Sequence, residues 1–212
     1  MRVSLVPNPK PDARTYTGVE VVVNKMWQHL PACGIELVKD GEPSDIRAVH
    51  IDAVGEVDVQ HVHGLYLTSR RDAQTWMHEI NRKVVDTSRK ARIVTVPSRW
   101  VGELYARDMG FWPTIIPHGL DLAEFPEPTF KPSSTVIWNK NRTADVCDVR
   151  PLNNIAAIMP DFKFLSTFGD PKENVEICGV LPHPRMVETL YSRGGIYLAT
   201  TMETFGVATL EA

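Results

Sequence analysis

The alternation of short apolar runs with amphipathic segments is the feature that most limits what this chain can fold into. In the second half, apolar runs of strand length are interleaved with segments of helical periodicity. Strands that alternate with helices form βαβ units, whose strands are parallel. We therefore predict a parallel α/β sheet there. Its strands are predicted at 135–138, 162–167, 175–180 and 196–199, and its helices at 151–159 and 184–193.

The first half begins with the same order of strand, loop and helix. Residues 2–6 form a short, mostly apolar segment that is predicted to be a strand, prolines follow, and Gly18 precedes a segment whose apolar residues fall on one helical face. A glycine loop in this setting can admit a phosphate or a sugar, and a plain turn is the alternative interpretation. Further strands are predicted at 34–38, 46–51, 57–66, 91–96 and 114–117, and further helices from Ala73 and after Ser98.

Two histidines lie in the partly alternating segment 57–66. If this segment is one strand, His61 and His63 project from the same face. A His-x-His pair can contribute to a metal site, but two ligands without a third make a poor one. We therefore predict no metal, and we interpret the pair as histidines at the carboxyl end of a strand, where ligands of open α/β sheets gather.

The last stretch of the chain, from Gly195 to Ala212, predicts a strand, a polar turn and a helix that begins near Phe205 or Gly206. In such a turn, backbone N–H groups face an anion. Glu203 lies in the turn and Glu211 follows it by about two helical turns, roughly 12 Å. That spacing suits an elongated ligand such as a nucleoside diphosphate sugar. The alternative is that Glu203 is an ordinary helix-start carboxylate and Glu211 a solvated one.

Composition narrows the classes of partner. The net charge of −3 gives no general basic field, so nucleic acid is not expected as the main partner. The three cysteines are scattered and the first twelve residues lack the apolar core of a signal peptide, which favours a reducing, cytoplasmic compartment. No apolar run approaches the roughly 18 residues of a membrane span, so contact with a bilayer could only be peripheral.

Two stretches resemble a known family of enzymes. ETFGVATLEA, at the end of the chain, resembles the Glu, seven residues, Glu signature of the retaining family-4 glycosyltransferases. VPSRWVGELYARDMGFWPTIIPHGLDLAEF resembles the segment that ends the N-terminal domain of that family. Two matches in the right order are much more specific than either alone. The residues in the expected places of the second match are Ser98, Gly119, Asp121 and Phe125.

The resemblance implies an α/β fold of the GT-B type, with two Rossmann-like parallel-sheet domains of which the second is incomplete. The N-terminal, acceptor-side domain would span 1–125. A proline-containing linker would follow over 126–134, and the partial nucleotide-sugar-binding domain over 135–212. Because the family continues beyond Ala212, the strand at 196–199 is expected at an exposed sheet edge, through which the chain could associate with itself or with a partner.

The resemblance also assigns roles in the second domain. Glu203 would hydrogen-bond hydroxyls of the donor sugar, and Glu211 would hydrogen-bond the ribose hydroxyls. Arg142, and after it Lys140, would stabilise the negative charge of the departing diphosphate. A solvated loop would also contain such cations. The substrate implied is a UDP-, GDP- or ADP-sugar, with no metal or prosthetic group.

The remaining implied site residues come from both domains. His63 would approach the donor sugar, and Gly18 would border donor and acceptor. Fixed backbone donors at the start of the last helix would face the diphosphate, at Thr204, Phe205 and Gly206.

The predicted function is a retaining glycosyltransferase that moves a sugar from a nucleotide donor to an acceptor hydroxyl, with Glu203, Arg142 and His63 as the catalytic group. One alternative is a truncated chain that binds nucleotide sugar, or only folds, and needs a partner for turnover. Another is a GT-B epimerase, which would change the donor sugar without an acceptor. A GT-B phosphorylase, which would require inorganic phosphate, is the third.

Overall fold

The structure is a computed structural model that describes residues 1–10, 18–66, 68, 73–125, 133–140, 142–143, 147–201 and 204–212. The chain divides into two compact units, Met1–His118 and Gly119–Ala212. Each unit is built on its own parallel sheet, so the α/β prediction is confirmed. The predicted linker 126–134 falls within the second range, and most of it lies outside the described residues. None of the described helices combines the length and the apolarity needed to cross a bilayer.

The first unit contains a six-stranded sheet, in the order β2-β1-β3-β4-β5-β6 over its described residues. Every pairing in it is parallel. Each strand predicted in this half is present, the first with the predicted bounds 2–6 and the others with one or both ends shifted. The strands are β1 Arg2–Val6, β2 Glu36–Lys39, β3 Ile46–His50, β4 Val59–His61, β5 Ile93–Val96 and β6 Thr114–Ile115, and the helices are α1 Gly18–His29, α2 Thr75–Ser88 and α3 Arg99–Met109.

The predicted strand 57–66 is wrong in length. β4 covers only Val59–His61, and the ladder continues for one bond beyond it, from Val62 N to Thr95 O at 2.9 Å. Gly64 then has a φ of 129°, outside the range of strand residues, so the chain leaves the sheet. His63 therefore lies beyond the strand that carries His61.

A buried amide connects β4 to its neighbours. The side chain of Gln60 is fully buried, and its Nε2 donates to the carbonyl oxygens of Ile51, at 2.5 Å, and Val84, at 3.0 Å. Its Oε1 accepts from Ser88 Oγ at 2.6 Å. Because buried polar groups are costly unless they are hydrogen-bonded, these bonds fix the position of the chain just after β3 against β4 and α2.

The second unit contains a four-stranded parallel sheet in the order β10-β7-β8-β9, over the part of the unit that the structure describes. Its core includes Trp138, Phe164 and Leu165, all nearly inaccessible to solvent. The strands are β7 Thr135–Trp138, β8 Lys163–Ser166, β9 Val175–Ile177 and β10 Ile196–Tyr197, and the helices are α4 Arg150–Ile158, α5 His183–Met186 with its π-helical continuation Val187–Tyr191, and α6 Val207–Glu211.

Two glycines bring β10 close to β7. A Cβ on Gly195 would lie 2.1 Å from the carbonyl oxygen of Ser133, and one on Gly194 would lie 2.6 Å from Cγ2 of Ile137. Gly195 N donates to Thr135 O at 3.0 Å, which begins the pairing of the two strands. Only a residue without a side chain fits there. Among the described strands β10 lies at a sheet edge, and association through it stays a prediction.

We expect Gly195→Ala to destabilise the second unit by about 1–3 kcal/mol, because the added methyl group must push β10 away from a backbone carbonyl. Urea unfolding measured by circular dichroism checks this. The matched control is Gly119→Ala, since a Cβ at Gly119 meets no heavy atom within 4 Å, and it should change stability by less than about 0.5 kcal/mol. Equal effects of the two substitutions would contradict the close approach.

Candidate functional site

Four histidines meet at the carboxyl end of the first sheet. His50 and His61 are the last residues of β3 and β4, His63 follows β4, and His118 follows β6. Their rings form a chain of contacts, with centroids 4.8 Å apart for His50 and His61, 5.2 Å for His50 and His63, and 5.3 Å for His63 and His118. We call this group the histidine cluster. It lies at the sheet end where parallel α/β folds bind ligands.

Hydrogen bonds orient three members of the cluster, His50, His61 and His63. His50 Nδ1 and His63 Nε2 lie 2.9 Å apart, so one of these nitrogens donates its proton to the other. His61 Nδ1 lies 2.5 Å from Thr95 Oγ1. His50 is only 2% exposed, and its Nε2 is buried without a hydrogen-bond partner among the residues that the structure describes. The cluster therefore contains an unsatisfied buried nitrogen among the described residues.

The cluster holds no positive charge at neutral pH. Burial, and then the neighbouring histidines, lower the pKa of His50 to about 2. Burial, and then His118 and His61, lower the pKa of His63 to about 3, and burial and His118 lower the pKa of His61 to about 4. Burial also lowers the pKa of His118. Neutral imidazoles can both donate and accept hydrogen bonds, which suits hydroxyl groups better than phosphates.

The backbone just after His50 is strained. Ile51 has a φ of 74°, the only positive φ of a non-glycine residue in the described part of the chain. For a β-branched residue such a conformation costs about 1–3 kcal/mol and persists only where the surroundings enforce it. The bonds from Ile51 N to His61 O, at 3.2 Å, and from Gln60 to Ile51 O enforce it here. A cleft of about 270 Å³ lies beside this turn.

Of the site residues predicted in the first unit, Gly18 and His63 are both near this sheet end. Gly18 begins α1, and a Cβ there would meet no heavy atom within 4 Å, so packing does not require a glycine. The next residue, Val19, lines the cleft. His63 is a member of the histidine cluster. His61 and His63 do not share a face of one strand, but both rings contact His50.

In the second unit, Glu211 is held by two side chains. Tyr191 Oη donates to Glu211 Oε2 at 2.9 Å, and His183 Nε2 lies 3.2 Å from Oε1. The Glu211 side chain is only 9% exposed, so the alternative interpretation of a solvated carboxylate is wrong. Burial, and then the charge of Glu211, raise the pKa of Tyr191, which therefore remains a hydroxyl donor. Asn139 Nδ2 donates to Tyr191 Oη at 3.2 Å.

The π-helical turn Val187–Tyr191 sets the direction of this tyrosine. A π-helical turn accommodates one residue more than an α-helical turn, and such turns are frequent at functional sites. Leu190 is fully buried in the core, while the next residue, Tyr191, reaches Asn139 and Glu211. Since Asn139 directly follows β7, the carboxyl end of that strand and Glu211 belong to one neighbourhood.

The predicted phosphate ligands follow the same strand. The backbone of Lys140 is fixed by Thr167, whose Oγ1 accepts from Lys140 N at 3.0 Å and donates to Lys140 O at 2.7 Å. Arg142 is half-buried two residues further on. Glu203, which was predicted to bind the donor sugar, lies outside the residues that the structure describes.

The predicted helix near Phe205 or Gly206 is shorter than expected. Gly206 is buried with a left-handed φ of 83°, so α6 begins only at Val207 and ends at Glu211. The expectation of about two helical turns between Glu203 and Glu211 is therefore wrong, because the left-handed glycine interrupts any helix between them. Thr204 and Phe205, predicted as backbone donors, precede the helix and are half-buried.

The sequence pattern did not single out His50, His183 or Asn139. His50 could have been found with the argument used for His63, since it ends a predicted strand. Asn139 contacts Tyr191 and His183 contacts Glu211. Because these partners are distant in sequence, no local sequence pattern indicates the contacts.

Comparison with known proteins identifies the fold. No protein-family model matches the sequence, and no curated protein matches it. The structure is similar to a solved structure of sucrose-phosphate synthase from Thermosynechococcus elongatus, with a TM-score of 0.71 and 14% sequence identity. The similarity covers 99% of this chain and 78% of that chain. It therefore includes both units, and it shows an α/β fold of the GT-B type, with two Rossmann-like parallel-sheet domains.

The histidine cluster predicts a loss of stability in mild acid. Unfolded histidines take up protons near pH 6.5, whereas His50, His61 and His63 resist protonation in the folded state until about pH 4 or below. The unfolded state therefore binds more protons, and the free energy of unfolding should fall by about 1.4 kcal/mol per histidine for each pH unit below about 6. The loss ends as the pH falls through the folded pKa values.

Urea unfolding between pH 7.5 and 5 measures this slope. His61→Asn keeps a group that can bond Thr95 but cannot titrate, so it should remove about one third of the contribution of these three histidines. His78→Asn, at an exposed position of α2, is the control. An unfolding free energy of the wild type that is constant over this range would show that the cluster is not buried and neutral.

Proposed function

We propose that the chain is a glycosyltransferase that transfers a sugar from a nucleotide-sugar donor to an acceptor hydroxyl, with retention of the anomeric configuration. The observation that carries the proposal is the GT-B fold, which it shares with sucrose-phosphate synthase over almost the whole chain. Because one fold hosts several activities, the residues must support the same function independently.

Glu211 suits the role of a ribose ligand. An ionised carboxylate accepts at about four lone-pair sites, of which Tyr191 and His183 occupy two. The remaining sites can accept hydrogen bonds from the two hydroxyls of a ribose. Since the carboxylate is already oriented by two partners, little conformational entropy is lost when the nucleotide binds.

Cationic side chains, rather than the dipole of a helix, are proposed to provide the main stabilisation of the departing diphosphate. The five residues of α6 make a helix of little more than one turn, whose dipole is correspondingly small. Arg142 and Lys140 follow β7, whose carboxyl end also carries Asn139 and, through it, Tyr191. A guanidinium can bind two phosphate oxygens at once, so Arg142 is the main ligand and Lys140 the second.

The remaining proposed roles concern the sugar and the phosphate of the donor. Glu203 is proposed to accept from its hydroxyls, the backbone at Thr204, Phe205 and Gly206 to donate to the donor phosphate, and the neutral His63 to bond the sugar. Retention then follows if the acceptor attacks on the side of the leaving group and the phosphate takes its proton. No separate base is needed, in contrast to retaining hydrolases with two flanking carboxylates.

We expect Glu211→Gln to weaken binding of the nucleotide-sugar donor about tenfold, because a neutral amide replaces a charged acceptor of hydroxyl bonds. Calorimetric titration with UDP-, GDP- and ADP-glucose measures this. Glu188→Gln is the matched control, since Glu188 is exposed and pairs only with Arg185 in the described structure. Equal affinities of the two variants for the donor would remove Glu211 from the site.

Transfer itself is tested by incubating the bound donor with a panel of sugar and polyol acceptors and following the anomeric proton by NMR. A product with the anomeric configuration of the donor is expected. Donor binding without transfer to any acceptor would indicate a nucleotide-sugar-binding protein. Conversion of the donor sugar without an acceptor would indicate an epimerase, and a requirement for inorganic phosphate would indicate a phosphorylase.

A further inference from the structure

Two hydrogen bonds in series connect the end of β7 to Glu211. Asn139, directly after β7, donates from Nδ2 to Tyr191 Oη at 3.2 Å, and Tyr191 Oη donates to Glu211 Oε2 at 2.9 Å. All three residues belong to the second unit, and the Glu211 side chain is only 9% exposed. Because hydrogen bonds are stronger where water is excluded, these two bonds hold the carboxylate firmly.

The amide of Asn139 fixes the direction of the tyrosine proton. Asn139 Nδ2 also lies 2.6 Å from Met186 Sδ, and a thioether sulfur can only accept, so the amide nitrogen and not its oxygen faces this side. The nitrogen therefore donates to Tyr191 Oη, which leaves the phenol proton for Glu211. Burial and the charge of Glu211 raise the pKa of Tyr191, so the phenol keeps this proton.

Each carboxylate oxygen of Glu211 has one neighbouring side chain. Tyr191 donates to Oε2, and His183 Nε2 lies 3.2 Å from Oε1. Since a carboxylate oxygen has two lone pairs, each oxygen keeps one acceptor position for a ligand. The adjacent 2′- and 3′-hydroxyls of a ribose can fill both positions. A 2′-deoxyribose supplies only one donor and leaves the other position, which is shielded from water, without a partner.

We infer that Tyr191, oriented by Asn139, is a positioning residue that holds Glu211 for the two hydroxyls of a ribose and thereby sets a preference for ribonucleotides over 2′-deoxyribonucleotides. The inference rests on the proposed function, in which Glu211 is the ribose ligand, and it adds the source of the selectivity. A carboxylate that is fixed before binding keeps its acceptor positions aligned and loses less entropy when the nucleotide binds.

Calorimetry of nucleotide pairs on the full chain tests the inference. The probes are UDP and dUDP, GDP and dGDP, and ADP and dADP, and the pair with the tightest ligand is used for the variants. The wild type should bind the ribonucleotide at least about tenfold more tightly than its 2′-deoxy form. Tyr191→Phe, which removes only the hydroxyl, should reduce this preference to about threefold or less.

The ratio of the two affinities separates positioning from a general structural role. A loss of packing would weaken both members of a pair equally and leave their ratio unchanged. If Tyr191 acts through Glu211, adding Tyr191→Phe to Glu211→Gln should change the ratio no further.

A second variant tests the other end of the connection. Asn139→Asp keeps the shape of the side chain but replaces the donor to Tyr191 with an acceptor, which competes with Glu211 for the phenol proton. It should therefore lower the preference as well, and it provides the same test if Tyr191→Phe does not fold.

Tyr105→Phe is the matched control. Tyr105 is a buried tyrosine of the first unit whose Oη lies 3.4 Å from Ser88 Oγ, so this substitution also removes a buried phenol hydroxyl. It should leave the ratio of the two affinities unchanged.

A preference in Tyr191→Phe that equals or exceeds that of the wild type would overturn the inference, as would a wild type that binds both forms equally. If the wild type nevertheless transfers sugar, the inference fails and the proposed function stands. If the preference depends on Tyr191 but no acceptor receives sugar, the positioning role stands and the glycosyltransferase proposal fails. A wild type that binds none of the nucleotides would overturn both.

Discussion

The buried amide of Gln60 is the constraint on which the carboxyl end of the first unit's sheet depends. It bonds the carbonyl of Ile51 and the carbonyl of Val84, and it accepts from Ser88. Each of these partners is itself buried or half-buried, so the loss of the amide would leave several polar groups without compensation. The left-handed conformation of Ile51 is stable because this network and the bond to His61 hold it, directly after the His50 ring that contacts His61 and His63.

Burial also decides what the histidines can do. An imidazole with a pKa near its ordinary value would be charged part of the time, and it would attract phosphate. The members of the histidine cluster are desolvated and adjacent to one another, so each makes protonation of the next more costly. A neutral cluster can form hydrogen bonds but cannot balance the charge of a phosphate, which would require lysine or arginine.

Much of the fold could be predicted from the sequence, because the core strands are short apolar runs bounded by prolines and glycines. The bounds of β7 agree with the prediction residue by residue, and β4 is the main exception, since Gly64 ends it early.

The candidate site could be predicted less well from the sequence than the fold. His50 and His118 meet His63 only because β3, β4, β5 and β6 are neighbours in the sheet, and strand order is not encoded in local pattern. The burial of Glu211 likewise depends on residues that lie 20 and 28 positions away.

The π-helical turn Val187–Tyr191 allows one short segment both to fill the core, through Leu190, and to contact Glu211, through Tyr191. Residues on a helix are about 100° apart around its axis, as 3.6 residues make a turn. In a π-helical turn more residues share each turn, so the angle between neighbours is smaller, and Leu190 and Tyr191 are spaced differently around the axis than an α-helix would space them. The wider turn thus lets Leu190 pack in the core while its neighbour Tyr191 contacts Asn139 and Glu211.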